Sequence, residues 1–158
     1  LDHGWPELLE VLNTERIVTT AGLVGAGKLA LQLGTNYARE RKVFGDTPIG
    51  SYQGLQFPLA QAYAELECAR LMNLKAAWLH DTEQPYGSEA NTAKMIASQA
   101  ATKAIERAMQ TMGGMGFSKE MDVERLWRDA RLFHFAPVSE EMILNYIAVH
   151  DLGLPRGY

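Results

Sequence analysis

The chain has 158 residues, 47% of them apolar and 22% charged, and this is the composition of one ordinary folded domain rather than of a disordered or fibrous chain. Its 15 Lys plus Arg stand against 19 Asp plus Glu, for a formal charge of -4. With no basic block as well, nucleic-acid binding driven by phosphate neutralisation is excluded. The single cysteine, Cys68, cannot form an internal disulfide, and its apolar helical setting predicts a buried, inert thiol in a reducing compartment.

No proline stands between Pro6 and Lys42, and Ile17, Ala21, Val24, Leu31 and Ala38 recur at helical steps, so one long amphipathic helix is expected there. Its longest apolar run, Gly22 to Leu33, is interrupted by glycines and Lys28 and falls short of the roughly 18 residues of a membrane span. No membrane span is therefore expected. The turn formers from Phe44 to Gly50 end the helix. A second helix is predicted over Tyr52 to Asp81, with Leu55, Leu59, Ala62, Leu66 and Ala69 on one face, Leu71, Leu74 and Trp78 beside it, and Pro58 in its first turns. Ser88 is the expected N-cap of an alanine-rich third helix reaching Met112, and its small residues permit close packing. The glycines at 113, 114 and 116 break that helix, Asp122 to Arg131 forms a short charged one, and Ser139 caps a last helix through about His150. Glu140 and Glu141 fall in its first turn, where the helix dipole favours negative charge. The sum is an all-α, up-and-down four-helix bundle with additional short helices, one domain over residues 1–158.

Three patterns invite a chemical reading and lose it on inspection. Gly22-Leu23-Val24-Gly25-Ala26-Gly27-Lys28 imitates a phosphate loop or dinucleotide fingerprint, but Leu29 stands where a magnesium-binding hydroxyl is needed and no parallel sheet follows. These glycines read instead as points of close helix approach. The pairs His80-Asp81 and His150-Asp151 suggest a metal pair, yet both sit near helix ends where they serve the dipole or solvent, so no metal site is expected. Trp5, Trp78, Trp127 and the methionines read as packing groups.

Three phrases at fixed separation carry more. Tyr37 to Gly45, with Pro48, Ile49 and Gln53, then Gln110 to Phe117, then Val123 to Arg131, together resemble the C-terminal helical domain of the acyl-CoA dehydrogenases, from about Leu12 to Pro155. The resemblance implies FAD as cofactor, held by Arg41, Val43, Phe44, Gln53, Gln110, Gly113, Gly114 and Ser139, with many contacts reaching a flavin on a neighbouring subunit. It implies a homodimer or homotetramer, an acyl-CoA substrate contacted by Asn13 and Arg16, and an electron-transfer flavoprotein as acceptor. Glu141 falls where some members have Gln, which weighs against flavin contact there. Residue 1 is Leu, so helical and β domains are expected upstream and no targeting segment can be read. The resemblance implies the cytoplasm in a bacterium, or the mitochondrial matrix or peroxisome in a eukaryote.

The implied reaction takes the α-proton of an acyl-CoA with a carboxylate while a β-hydride moves to flavin, giving a trans-2-enoyl-CoA. Most members carry that glutamate after the Arg-Asp-Ala block, but here Pro137 occupies the place and cannot accept a proton. A minority, including the isovaleryl and long-chain types, uses the first helix, in the residue before an arginine. Glu15, before Arg16, matches it and is the expected catalytic base, with Glu140 the alternative. The isolated chain is expected to be inactive; an acyl-CoA oxidase or a bundle that only assembles are the competing readings.

Overall fold

The computed structural model describes residues 4–157. Three long helices dominate: α1 (Gly4–Glu40), α2 (Gln53–Asp81) and α3 (Gly87–Met112). Between α1 and α2, a two-residue antiparallel ribbon pairs β1 (Lys42–Val43) with β2 (Thr47–Pro48), followed by a 3-10 turn at Ile49–Ser51. Short helices α4 (Gly114–Phe117), α5 (Val123–Leu132) and α6 (Glu140–Tyr146) follow, and a π turn at Ile147–Asp151 extends α6. The expected all-α bundle is what forms, with α5 and α6 packing on α3.

Helix α3 is the axis, because half of the buried side chains it offers are alanine: Ala90, Ala93, Ala97, Ala100, Ala101, Ala104 and Ala108 are all buried. Where α1 meets it, α1 supplies glycine. A Cβ on Gly34 would stand 3.0 Å from the Ala108 Cα, and one on Gly27 would stand 3.2 Å from the Ala101 Cα and 2.8 Å from Leu66 Cδ2. Both contacts advance by seven residues on each helix, so α1 and α3 run parallel. Helix α2 runs opposite to α1, as Lys28 pairs with Glu67 at 2.5 Å while Asn73, further along α2, donates to the Ile17 carbonyl at 3.1 Å, further back on α1. Pro58 lies in the second turn of α2, near enough to its start to be accommodated.

Several expectations need correction. Ser88 does not cap α3: the helix begins one residue earlier, and the Ser88 hydroxyl donates instead to Asp151 at 2.5 Å. Cys68 is exposed rather than buried, because α2 turns that side outward. Trp5 and Trp78 are likewise exposed, as are Leu71 and Leu74; Trp127 alone of the tryptophans is partly buried, donating to Glu106 at 3.2 Å. Ala21, placed on the buried face by its spacing, lies on the outside. Length and composition alone would also let α1 cross a membrane, contrary to the run-length reading. In the bundle, however, Leu23, Val24, Ala30 and Leu31 of that stretch are buried against the other helices.

The glycines of α1 make a paired prediction. Gly34→Val should force α1 off the α3 backbone and cost roughly 1–3 kcal/mol, whereas Gly25→Ala, where a Cβ meets nothing within 4 Å, should be neutral or gain up to about 1 kcal/mol of helix propensity. Urea unfolding of the two variants checks the contrast; equal effects would mean that the close approach is not a constraint.

Candidate functional site

The expected site residues fall into two sets at opposite ends of α1. Between Arg16 and Arg41 lie 25 helical steps, or roughly 38 Å at about 1.5 Å each. At the far end, α1 terminates, α2 begins and α3 terminates, so Arg41, Val43, Phe44, Gln53, Gln110, Gly113 and Gly114 gather there. At the near end are Asn13, Glu15, Arg16 and Ser139. No single dinucleotide spans both.

The far set is open and unsatisfied. Among the described residues the Arg41 guanidinium has no ion pair, and neither Gln53 nor Gln110 uses its side-chain amide in a hydrogen bond. Phe44 is 93% exposed with φ +49°, and Gly45 follows at φ +93°. Neither packing nor backbone preference accounts for an exposed aromatic held in left-handed conformation. Gly113, at φ +58°, ends α3 with open space where a side chain would be, so backbone there is approachable. Gly116, read from the sequence as a helix breaker, is locked: a Cβ would stand 2.4 Å from the Met109 carbonyl oxygen. A cleft of about 470 Å³ lined by Arg107, Gln110, Gly113, Phe117 and Trp127 opens beside it. An unpaired cation, an exposed aromatic, free amides and bare backbone fit an anionic, aromatic dinucleotide such as FAD.

At the near end, Arg16 is only 5% exposed. It donates to the Asn13 Oδ1, while its Nε has no partner among the described residues. Burial lowers its pKa, with Tyr146, Glu15 and Tyr86 acting in the opposite direction. Arg16 lines a largely apolar cleft of about 490 Å³ with Leu9, Leu12, Val138, Met142 and Tyr146. Glu15 is not in that lining. It points outward on the neighbouring face, and its carboxylate makes no hydrogen bond or ion pair with a described residue. Its face is unusual for a solvated carboxylate: Leu8, Val11, Val18 and Leu29 are exposed along the same stripe, with Gly22 and Gly25 between them. Between Leu8 and Leu29 Glu15 is the one charge on it, with Glu7 one helical turn before Val11.

Ser139 does cap α6, accepting from the Met142 amide at 3.4 Å. Glu140, by contrast, is committed: it accepts from Ser98 at 2.9 Å and Gln99 at 3.0 Å and lies 2.7 Å from His134 Nδ1. A carboxylate so engaged is a poor proton acceptor. Glu141 has its pKa lowered by its own backbone amide and the Ser139 hydroxyl. What sequence reading missed is Lys94, fully buried on α3, whose ammonium donates to the Val138 carbonyl at 2.7 Å. Burial pushes it down to about 8, against the pull of Glu140 and Glu141. The signal available was a lysine on the alanine-rich face of a long helix.

With this geometry established, comparison with known proteins is direct. Residues 2–150 match the acyl-CoA dehydrogenase C-terminal domain family. The chain is 46% identical over 159 aligned residues to acyl-CoA dehydrogenase FadE12 of Mycobacterium tuberculosis, covering 99% of this chain and 41% of that protein. It is 38% identical to the human mitochondrial short-chain specific acyl-CoA dehydrogenase, covering 94% of this chain and 36% of that one. Among solved structures, butyryl-CoA dehydrogenase from Megasphaera elsdenii superposes with a TM-score of 0.91 at 30% identity, covering 94% of this chain and 39% of the other. An all-helical bundle of this kind is thus an acyl-CoA dehydrogenase C-terminal domain, and the chain belongs to the acyl-CoA dehydrogenase family. It spans about two fifths of the length of the curated relatives it matches.

His134 supplies a pH test. Burial lowers its pKa, with Arg131 and Lys94 adding to the effect and Glu140 opposing it. The neutral ring donates from Nδ1 to Glu140 and accepts at Nε2 from Thr102, 2.9 Å away. A depressed folded value means that the His134 contribution is present above about 6.5, the ordinary value, and is lost as pH falls through the lowered one. Wild type should therefore lose urea midpoint between about pH 7 and about pH 5 more steeply than His134→Gln. Parallel acid limbs would contradict it.

Proposed function

We propose that the full-length protein is a flavin-dependent acyl-CoA dehydrogenase that converts an acyl-CoA to the trans-2-enoyl-CoA, with Glu15 as the α-proton acceptor. The observation that carries this reading is the pairing of a vacancy with a replacement. Pro137 stands where most of the family has its glutamate, and Glu15 is the one charge between Leu8 and Leu29 on an exposed apolar stripe of α1. Such a stripe has surface to bury, and this chain is two fifths of its relatives' length, so the remaining domains are the natural cover. A carboxylate shut into an apolar cavity becomes a stronger base, which is what abstraction of an α-proton requires.

FAD, when bound, supplies the hydride acceptor. Arg41 would neutralise its pyrophosphate, Phe44 would offer an aromatic face, and Gln53, Gln110 and the bare backbone at Gly113 and Gly114 would supply directional hydrogen bonds. Val43 holds the ribbon that presents Phe44, and Ser139 stands at the other end as the cap of α6. Because the two sets lie at opposite ends of the bundle, each flavin would draw one set from one chain and the other from a second copy. A homodimer or homotetramer is then part of the site. The exposed row Phe57, Leu71, Leu74 and Trp78 on α2 gives a second copy an apolar face to cover. Asn13 and Arg16 would contact the CoA moiety, Arg16 from the wall of its cleft. Electrons would leave toward an electron-transfer flavoprotein, and the isolated chain, lacking its partner domains, would be inactive.

Glu15→Gln in the full-length protein should cut acyl-CoA-dependent flavin bleaching by about 10²-fold or more while flavin stays bound; undiminished bleaching removes Glu15 from the role. Phe44→Ala should lower flavin occupancy without changing secondary structure, read by absorbance after gel filtration and circular dichroism. Peroxide release under air would replace the dehydrogenase reading by an oxidase, and a colourless oligomer would replace it by an assembly role.

A further inference from the structure

The alanine face of α3 is interrupted at intervals of four residues by Lys94, Ser98 and Thr102, and all three turn toward one short segment of chain. Lys94 donates to the Val138 carbonyl, Ser98 to Glu140, and the Thr102 hydroxyl meets His134 Nε2. Gln99 adds a second bond to Glu140, and the Glu140 amide donates to the His134 carbonyl at 3.2 Å. Lys94 and Ser98 are both wholly buried. Burying an ammonium that finds one carbonyl partner is costly, and a methionine would fill the space without that cost. Stability alone does not call for a lysine here.

What the lysine grips is informative. The segment from His134 to Glu140 contains Pro137 and ends in the cap of α6, and Val138 is both the residue gripped from inside the bundle and part of the wall of the 490 Å³ cleft that Arg16 lines. Proline at 137 has no amide to donate, so backbone bonding of the segment must come through carbonyls and side chains. We propose that Lys94 is a positioning residue: from the core of α3 it fixes the Val138 carbonyl, and through it the Val138 wall of the Arg16 cleft, which would take part of the acyl-CoA. Ser98 and Thr102 secure the two flanks through Glu140 and His134. This rests on the dehydrogenase reading for its substrate, while the clamp itself can be measured without it.

The experiment uses the full-length flavoprotein carrying Lys94→Met, Lys94→Gln or Thr102→Val. Hydrogen exchange of the Val138 to Met142 amides reads the clamp, and steady-state kinetics with acyl-CoA read its consequence. Lys94→Met should speed exchange in this segment and raise KM by roughly tenfold, the scale of one lost charge-assisted hydrogen bond, with kcat and flavin content little changed. Lys94→Gln, which keeps a donor, should recover part of the loss, and Thr102→Val should show a smaller effect of the same sign. If Lys94→Met does not fold, the Gln and Thr102 variants decide by the same readings. Unchanged exchange overturns the clamp. Faster exchange at unaltered KM, or a fall confined to kcat, overturns positioning of the substrate wall. A wild-type protein that never bleaches with any acyl-CoA removes the dehydrogenase reading instead, and exchange still judges Lys94.

Discussion

The close approach of α1 to α3 is the constraint on which the rest depends. Glycine at 27 and 34 and alanine at 101 and 108 let two long helices run parallel almost backbone to backbone. Parallel alignment of these two, with α2 running antiparallel beside them, puts the end of α1, the start of α2 and the end of α3 at one pole of the molecule. It puts the start of α1, the start of α3 and α6 at the other. Each pole then collects residues from segments far apart in sequence. Dispersion contacts across such an interface are individually small and add up only because the packing is close. Side chains are therefore selected first for being absent.

Much of this was legible before any coordinates. The long helices follow from apolar spacing and from the turn formers between them, and the C-terminal ends of α2 at Asp81 and α3 at Met112 fall where expected, ahead of the turn through Pro85 and of Gly113. Read as packing glycine, Gly27 is correct, whereas Gly22 and Gly25 lie on the open side of the same helix. Sequence distinguishes glycine from other residues but not which direction a helix turns it. The exposed Trp78, Leu74 and Cys68 fail for a related reason. A helix with apolar residues around more than half its circumference does not declare which arc faces its own core and which is kept for another chain.

The candidate site divides the same way. Chemistry-bearing residues in the family phrases could be named from the sequence, and the fold sorts them into two poles. Polar contacts between distant segments could not be foreseen. Lys94 shows why: within its own helix it is one cation among alanines, and its partner, a main-chain carbonyl 44 residues away, leaves no trace in any side chain. Glu140 similarly reads as a helix-dipole residue in sequence, and only the fold reveals Ser98, Gln99 and His134 around it.

The length of α1 has an outcome of its own. A single rod joins the Asn13–Arg16 group to the Arg41 hairpin, with no loop along the way to absorb an error in angle. A small tilt of the rod about its midpoint would swing both termini at once, in contrary senses, as a pivoted beam does. Substitutions at Gly27 would consequently disturb two distant places by one mechanical act, and the damage would be legible at each pole although neither is touched.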